Sequence, residues 1–190
     1  MSSQQQTDIT GIILAGGKST RMGEDKSNKL YKGIPFLQHI IEAMKKVTNK
    51  IIIITNNACH TKFGYPCFSD IVPDQGPIGG IYTALYHTST EKNMILSCDV
   101  PLITYDILNN LIKQYDPTYD IIAYQNTPLV ALYHRSTLNT FLKSIETKQL
   151  RLRDTLTTLR VKDIVIEKNM APYLININTP QQYKEAMQWN

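Results

Sequence analysis

Apolar residues recur along this chain in two rhythms that take turns. Ile12, Ile13, Leu14 and Ala15 form a short continuous run closed by Gly16 and Gly17, the pattern of a strand buried on both faces. After Pro35, residues Leu37, Ile40, Ile41, Met44 and Val47 return at helical spacing, and the β-branched run 51–54 is too short for a helix. The alternation continues with a helix over 81–87, a strand over 94–97 and a helix carried by Ile107, Leu108, Leu111 and Ile112 after Pro101. Further strands are expected at 121–123, 129–133, 161–166 and 174–177, with helices over 138–145 and around Arg151 and Arg153. Thr179 is placed to cap a last helix that has Pro180 in its first turn. Strands alternating with helices predict an α/β single-domain three-layer sandwich, with a mostly parallel Rossmann-like sheet and helices on both faces.

Composition narrows this picture. The 190 residues, 42% hydrophobic and 19% charged, suit one domain with a single core, and no linker, repeat or charge block divides them. Residues 1–8 are polar and glutamine-rich, read here as a disordered N-terminal tail that is neither signal peptide nor membrane anchor, with the domain over 9–190. The formal charge of +4 is spread along the chain, which favours small anionic ligands and predicts no nucleic-acid and no membrane partner. Cys59, Cys67 and Cys98 form no CxxC pair, so a disulfide framework or zinc site is not expected and a cytoplasmic location is.

In open α/β sheets, ligands bind outside the carboxyl ends of the strands, so polar residues that follow apolar runs carry the most weight. Three segments qualify. The first is LAGGKSTRMGEDK (14–26), where Gly16 and Gly17 allow backbone N–H groups to cradle an anion and Arg21 and Lys26 add cations. It matches neither the Walker A loop nor GxGxxG. A plain tight turn with solvated cations is the competing reading, and the pair of cations beside two glycines favours a phosphate. The second is CDVP (98–101), where Asp99 could hold Mg²⁺ against phosphate oxygens or could only make a turn. The third is the Pro- and Gly-rich stretch 69–80, in which glycines such as Gly79 let backbone approach a flat base while Asp70 or Asp74 accepts from guanine's N1–H and amino group.

Taken in order, LAGGKSTRMGEDK, GPIGGI (76–81), CDVP, PLVALYHR (128–135) and NINTP (176–180) resemble the molybdenum cofactor guanylyltransferase family, within the nucleotidyltransferase superfamily. The resemblance runs from about Ile12 to the C-terminus. It implies that Leu14, Ala15 and Gly16 hold GTP by backbone contacts, with Gly17 and Gly79 in the same nucleotide site. Lys26 would bind phosphate, Asp70 would contact the guanosine, and Asp99 would bind both nucleotide and Mg²⁺. Asn176 and Asn178 would lie on the pterin side, and Lys26, Asp99 and Arg21 would form the catalytic set. The sequence departs from the family pattern where Ser27, Asn28 and Lys29 replace an apolar stretch, so Lys29 competes with Lys26, and at Gly33, Ile34 and Pro35 in place of Gly-Lys-Pro.

The implied reaction transfers GMP from GTP to the phosphate of molybdopterin, releasing pyrophosphate and forming molybdopterin guanine dinucleotide. Docking to other cofactor-assembly proteins goes with it. A CTP-dependent cytidylyltransferase on the same pterin, another small-phosphate nucleotidyltransferase and a non-catalytic nucleotide-binding chaperone are the alternatives. His39, His60, His87 and His134 share no metal-ligand spacing, and an already anionic phosphate nucleophile needs no histidine base.

Overall fold

A computed structural model describes residues 8–16 and 29–188. Gly17, Arg21 and Lys26 lie outside the described residues, as does nearly all of the predicted N-terminal tail.

The chain order is β1 (Ile9–Leu14), the short pair β2 (Leu30–Tyr31) and β3 (Ile34–Pro35), α1 (Phe36–Met44), β4 (Lys50–Ile54) and β5 (Cys67–Phe68). There follow α2 (Gly76–Tyr86), β6 (Lys92–Ser97), α3 (Tyr105–Lys113), β7 (Ile121–Tyr124) and β8 (Val130–His134). The last elements are α4 (Leu138–Glu146), α5 (Leu152–Leu156), β9 (Val161–Ile164) and α6 (Pro180–Met187). Seven strands form one sheet in the order β5-β4-β1-β6-β8-β7-β9. All neighbours pair in parallel except β8, which runs against both β6 and β7.

β1 is buried at every position and shows why the sheet is covered on both sides. Ile9 and Ile13 enter the core beneath α1 and α3, whereas Ile12 and Leu14 point to the opposite core beneath α2, α4 and α5. Each fully buried Ile or Leu contributes roughly 1.5–3 kcal/mol, so both layers are needed to cover one strand. Gly11 lets α1 close on the sheet: a Cβ there would lie 2.6 Å from Met44 Cγ and 2.7 Å from its Sδ. The three-layer, mostly parallel architecture expected from the sequence is present.

Four local expectations change. The GPIGG stretch belongs to α2, with Pro77 in its first turn. The apolar spacing of Leu174 and Ile177 is not a strand: Ala171–Leu174 is a 3-10 turn, and Ile177 makes one main-chain bond, to Asp99. Burial of both side chains explains the pattern without a ladder. β9 stops at Ile164, short of residue 166. The two-residue strands β2, β3 and β5 fall below any detectable period.

Candidate active site

The carboxyl ends of β4, β1 and β6 are bound side by side. Ala15 N–H donates to the Ile54 carbonyl at 2.8 Å, and Cys98 N–H donates to the Leu14 carbonyl at 3.0 Å. Gly16 is therefore carried out exposed at the tip of β1, between the chain leaving β4 and the chain leaving β6.

Asp70 reaches the same place from the segment after β5. A Cβ on Gly16 would lie 3.8 Å from Asp70 Oδ2, and one on Gly80 would lie 4.0 Å from Asp70 Oδ1 and 3.5 Å from Leu14 Cδ2. The carboxylate thus sits between the β1 turn and the first turns of α2, joining two motifs far apart in sequence. Asn56, just after β4, braces it: Asp70 N–H donates to Asn56 Oδ1 at 3.3 Å and Asn56 Nδ2 donates to Asp70 Oδ2 at 3.4 Å. Ile71 N–H donates to Thr83 Oγ1 of α2 at 3.0 Å, fixing the next residue. Burial pushes the Asp70 carboxyl above its ordinary range, opposed by the Asn56 bond and reinforced by the negative charge of Asp74. A carboxylate held in this state gains most from a ligand that donates to it.

Asp74 is exposed and adopts φ 61°, a left-handed turn position that Asp tolerates. Of the two carboxylates weighed for base recognition, Asp70 is the one beside the β1 turn. Gly79 faces away from that turn: a Cβ there would meet Gln75 Cβ at 2.9 Å and the Val72 carbonyl at 3.2 Å. Gly80 is the glycine against Leu14 and Asp70, and sequence reasoning did not select it. Asn56 was also missed, although its place after an apolar strand was a usable signal.

On the other side of β1, Asp99 follows β6 in a turn. Among the described residues, its Oδ1 is the one buried side-chain polar atom without a hydrogen-bond partner. Leaving such an oxygen unsatisfied costs about 1–3 kcal/mol, a cost that a cation removes. Magnesium commonly binds through one or two carboxylates and completes its shell with water and substrate phosphates. No group of three or more His, Cys, Asp or Glu side chains is arranged for a metal among the described residues. A lone carboxylate oxygen at the carboxyl edge of the sheet fits a cation shared with a ligand better than a cation caged by protein.

The Asp99 carbonyl accepts from Ile177 N–H at 2.8 Å, which seats Asn176 and Asn178 on either side of the Asp99 turn. Gln182 Oε1 accepts from the main-chain N–H of Asn178 at 2.8 Å and of Thr179 at 3.0 Å, completing the capping box of α6. Lys29 places its ammonium 5.2 Å from the Tyr183 ring centroid, and the Tyr183 hydroxyl donates to the Leu30 carbonyl at 2.7 Å. The last helix therefore holds both the NINTP segment and the chain that continues from residue 28.

The histidines have other work. His60 is buried, with Nδ1 2.7 Å from Thr55 Oγ1. His134 pairs with Glu91 at 3.1 Å at the amino end of β6, the edge opposite Asp99.

A glycine turn, a half-buried carboxylate beside it and an unsatisfied aspartate at the carboxyl edge of a parallel sheet are the arrangement of a nucleotidyltransferase. The chain belongs to the family of the MobA-like NTP transferase domain, whose model matches residues 11–162. It is 36% identical over 181 residues to a protein of Flavobacterium johnsoniae named as a probable molybdenum cofactor guanylyltransferase, covering 93% of this chain and 95% of that one. In fold it is similar to molybdopterin-guanine dinucleotide biosynthesis protein A of Archaeoglobus fulgidus, with a TM-score of 0.80, 21% identity, and 94% and 97% of the two chains covered. A Mycobacterium tuberculosis protein solved in complex with manganese superposes with a TM-score of 0.68 at 15% identity, over 96% of this chain and 99% of that one.

Proposed function

We propose that this protein transfers GMP from GTP to the terminal phosphate of molybdopterin, releasing pyrophosphate and forming molybdopterin guanine dinucleotide. The observation that carries the reading is the convergence of Gly16, Asp70 and Asp99 at one sheet edge in a chain of this family.

In this account an oxygen of the pterin phosphate attacks the α-phosphorus of GTP in line. A new P–O bond forms as the bond to the bridging oxygen breaks, and pyrophosphate leaves with that electron pair. The nucleophile is already anionic, so the protein contributes position and charge rather than a strong base. The backbone at Leu14, Ala15 and Gly16 receives the nucleotide, and Arg21 and Lys26 supply positive charge to the triphosphate. Asp99 would hold Mg²⁺, which when bound neutralises phosphate oxygens and orients the leaving group. Asp70 accepts from guanine N1–H and the exocyclic amine. Cytosine offers one donor, its N4 amine, beside the acceptor N3, where guanine offers two adjacent donors, so the same carboxylate disfavours CTP. Asn176 and Asn178, flanking the Asp99 turn, face the acceptor. Proteins that deliver or receive the pterin cofactor are the partners this reading implies.

Calorimetric titration with GTP, CTP and ATP, each with and without Mg²⁺, tests the assignment. Selective, Mg²⁺-sensitive GTP binding is expected. Preference for CTP would move the chain to the cytidylyl branch, and absence of nucleotide binding would favour a non-catalytic member.

A further inference from the structure

A second concavity runs along β7 and β9 and past the carboxyl end of β7, away from the β1 turn. It has a volume of about 770 Å³ and is walled by β7, the chain 125–128, α5 and β9. Its floor is apolar, made by Ile121, Ala123, Leu156 and Val161, and its polar lining includes Gln125, Asn126, Arg153 and Asp163. Among the described residues, those four polar side chains make no hydrogen bond or ion pair. Elsewhere this edge of the sheet uses its charged groups internally: Asp120 is chelated by Arg160, and the Lys162 ammonium donates to the Gln114 carbonyl at 2.9 Å. Asn126 sits at φ 61°, a left-handed turn position that Asn tolerates, and that backbone lines the cleft.

The cleft is linked to the proposed reaction centre through the sheet. β7 runs parallel to β6 across the reversed β8, so the chain leaving β7 emerges at the same edge as Asp99. Ser97 N–H donates to the Leu129 carbonyl at 2.9 Å, tying the residue next to Pro128 of the cleft to the last residue of β6, two before Asp99. Small-ligand sites typically measure 300–1,000 Å³ and combine an apolar surface with a few converging polar groups.

We propose that this cleft seats the pterin ring of the acceptor, with Asp163 accepting from the ring's amino-pyrimidinone edge and Arg153 meeting the acceptor's negative charge. This rests on the guanylyltransferase reading and extends it to residues that no motif marks. A pterin presents an N–H and an exocyclic amine side by side, a pair that one carboxylate can accept together. The apolar floor covers the ring faces, and the carboxamides of Gln125 and Asn126 are the remaining polar partners in the lining. The site for the base and the site for the pterin then each rely on an aspartate, Asp70 at one end and Asp163 at the other.

The test uses the whole protein and pterin-6-carboxylic acid, a fluorescent pterin, with binding read from quenching on titration. Wild type is expected to bind it, and Asp163→Asn, whose amide presents donors to donors, is expected to bind about ten- to a hundredfold more weakly. Arg153→Gln should also weaken binding, and both variants should raise KM for molybdopterin while leaving the calorimetric affinity for GTP unchanged. A wild type that does not bind the pterin, or variants with unaltered pterin affinity and acceptor KM, would overturn the cleft assignment. Failure of wild type to bind GTP is a separate result and would overturn the nucleotidyltransferase reading itself.

Discussion

The two ends of this sheet build their sites by different means. Around β4, β1 and β6 the strands are parallel, their ends are tied by main-chain bonds, and the site consists of a backbone turn with two carboxylates placed by strand termini. Around β8, β7 and β9 one strand is reversed, the edge strand is half-buried, and the concavity is lined by side chains drawn from four separate segments. Phosphates and a base can be met by amide groups and a few fixed charges, whereas an acceptor with its own shape needs a wall of side chains.

The largest effect is expected at the first end. Asp99→Ala should lower turnover by more than about a thousandfold, the loss associated with removing a preorganised charge partner and its metal. The fold should persist, because the side chain leaves Oδ1 unbonded and the Ile177 link uses only the main-chain carbonyl. Near-normal activity in Mg²⁺ with an intact melting transition would remove Asp99 from the mechanism. Next, Lys26→Ala should cost about 2–4 kcal/mol of transition-state stabilisation. Lys29→Ala should have the smaller effect, since the Lys29 ammonium lies over Tyr183. A silent Lys26 variant beside a crippled Lys29 variant, compared by kcat/KM, would exchange the two roles.

Asp70→Asn should weaken GTP binding by about tenfold through loss of a charge-assisted acceptor and narrow the preference for GTP over CTP. Its stability should move the other way. Burial raises the Asp70 carboxyl above its ordinary range, so the folded protein holds that proton more tightly than the unfolded chain does. The contribution favours folding below the unfolded value and is lost as pH rises through the folded one. At neutral pH the uncharged Asn variant should therefore melt slightly above wild type, and the gap should close on acidification. A gap that widens in acid would contradict the assigned cause.

The smallest expected effect concerns the second end. Asp120 accepts from Arg160 Nε at 3.1 Å, Nη2 at 2.9 Å and the main-chain N–H at 2.9 Å, joining the start of β7 to the start of β9. These bonds hold its carboxyl below the ordinary range, so the stabilisation is present at neutral pH and lost as pH falls through the folded value. Asp120→Asn should cost about 1–2 kcal/mol at neutral pH, with the difference from wild type shrinking in acid, and should leave GTP affinity untouched. Thermal melts across pH, paired with GTP titration, check both halves of that statement.

The same contrast governs what the amino-acid sequence discloses. β1 and β4 are read directly because Ile12, Ile13, Ile51, Ile53 and Ile54 are buried in runs with no other explanation. The glycine turn, Asp70 and Asp99 stand next to strand ends, where polar residues announce themselves. Gly79 and Gly80 could not be told apart, because which glycine faces Leu14 depends on the phase of α2, and the Pro-Gly composition hid the first turns of that helix. Ile177 was mistaken for a strand residue because a single anchoring bond to Asp99 buries it as well as a ladder would. The cleft was invisible: Gln125 and Asp163 are unremarkable surface residues, and Arg153 reads equally as a solvated helix residue, until β7, α5 and β9 are brought together.

The central claim is tested most directly by incubating the protein with molybdopterin, Mg²⁺ and either GTP or CTP, then separating the products and determining their masses. The account predicts molybdopterin guanine dinucleotide from GTP, with pyrophosphate released in equal amount and little product from CTP. Absence of any dinucleotide, or a cytosine dinucleotide formed in preference, would contradict it.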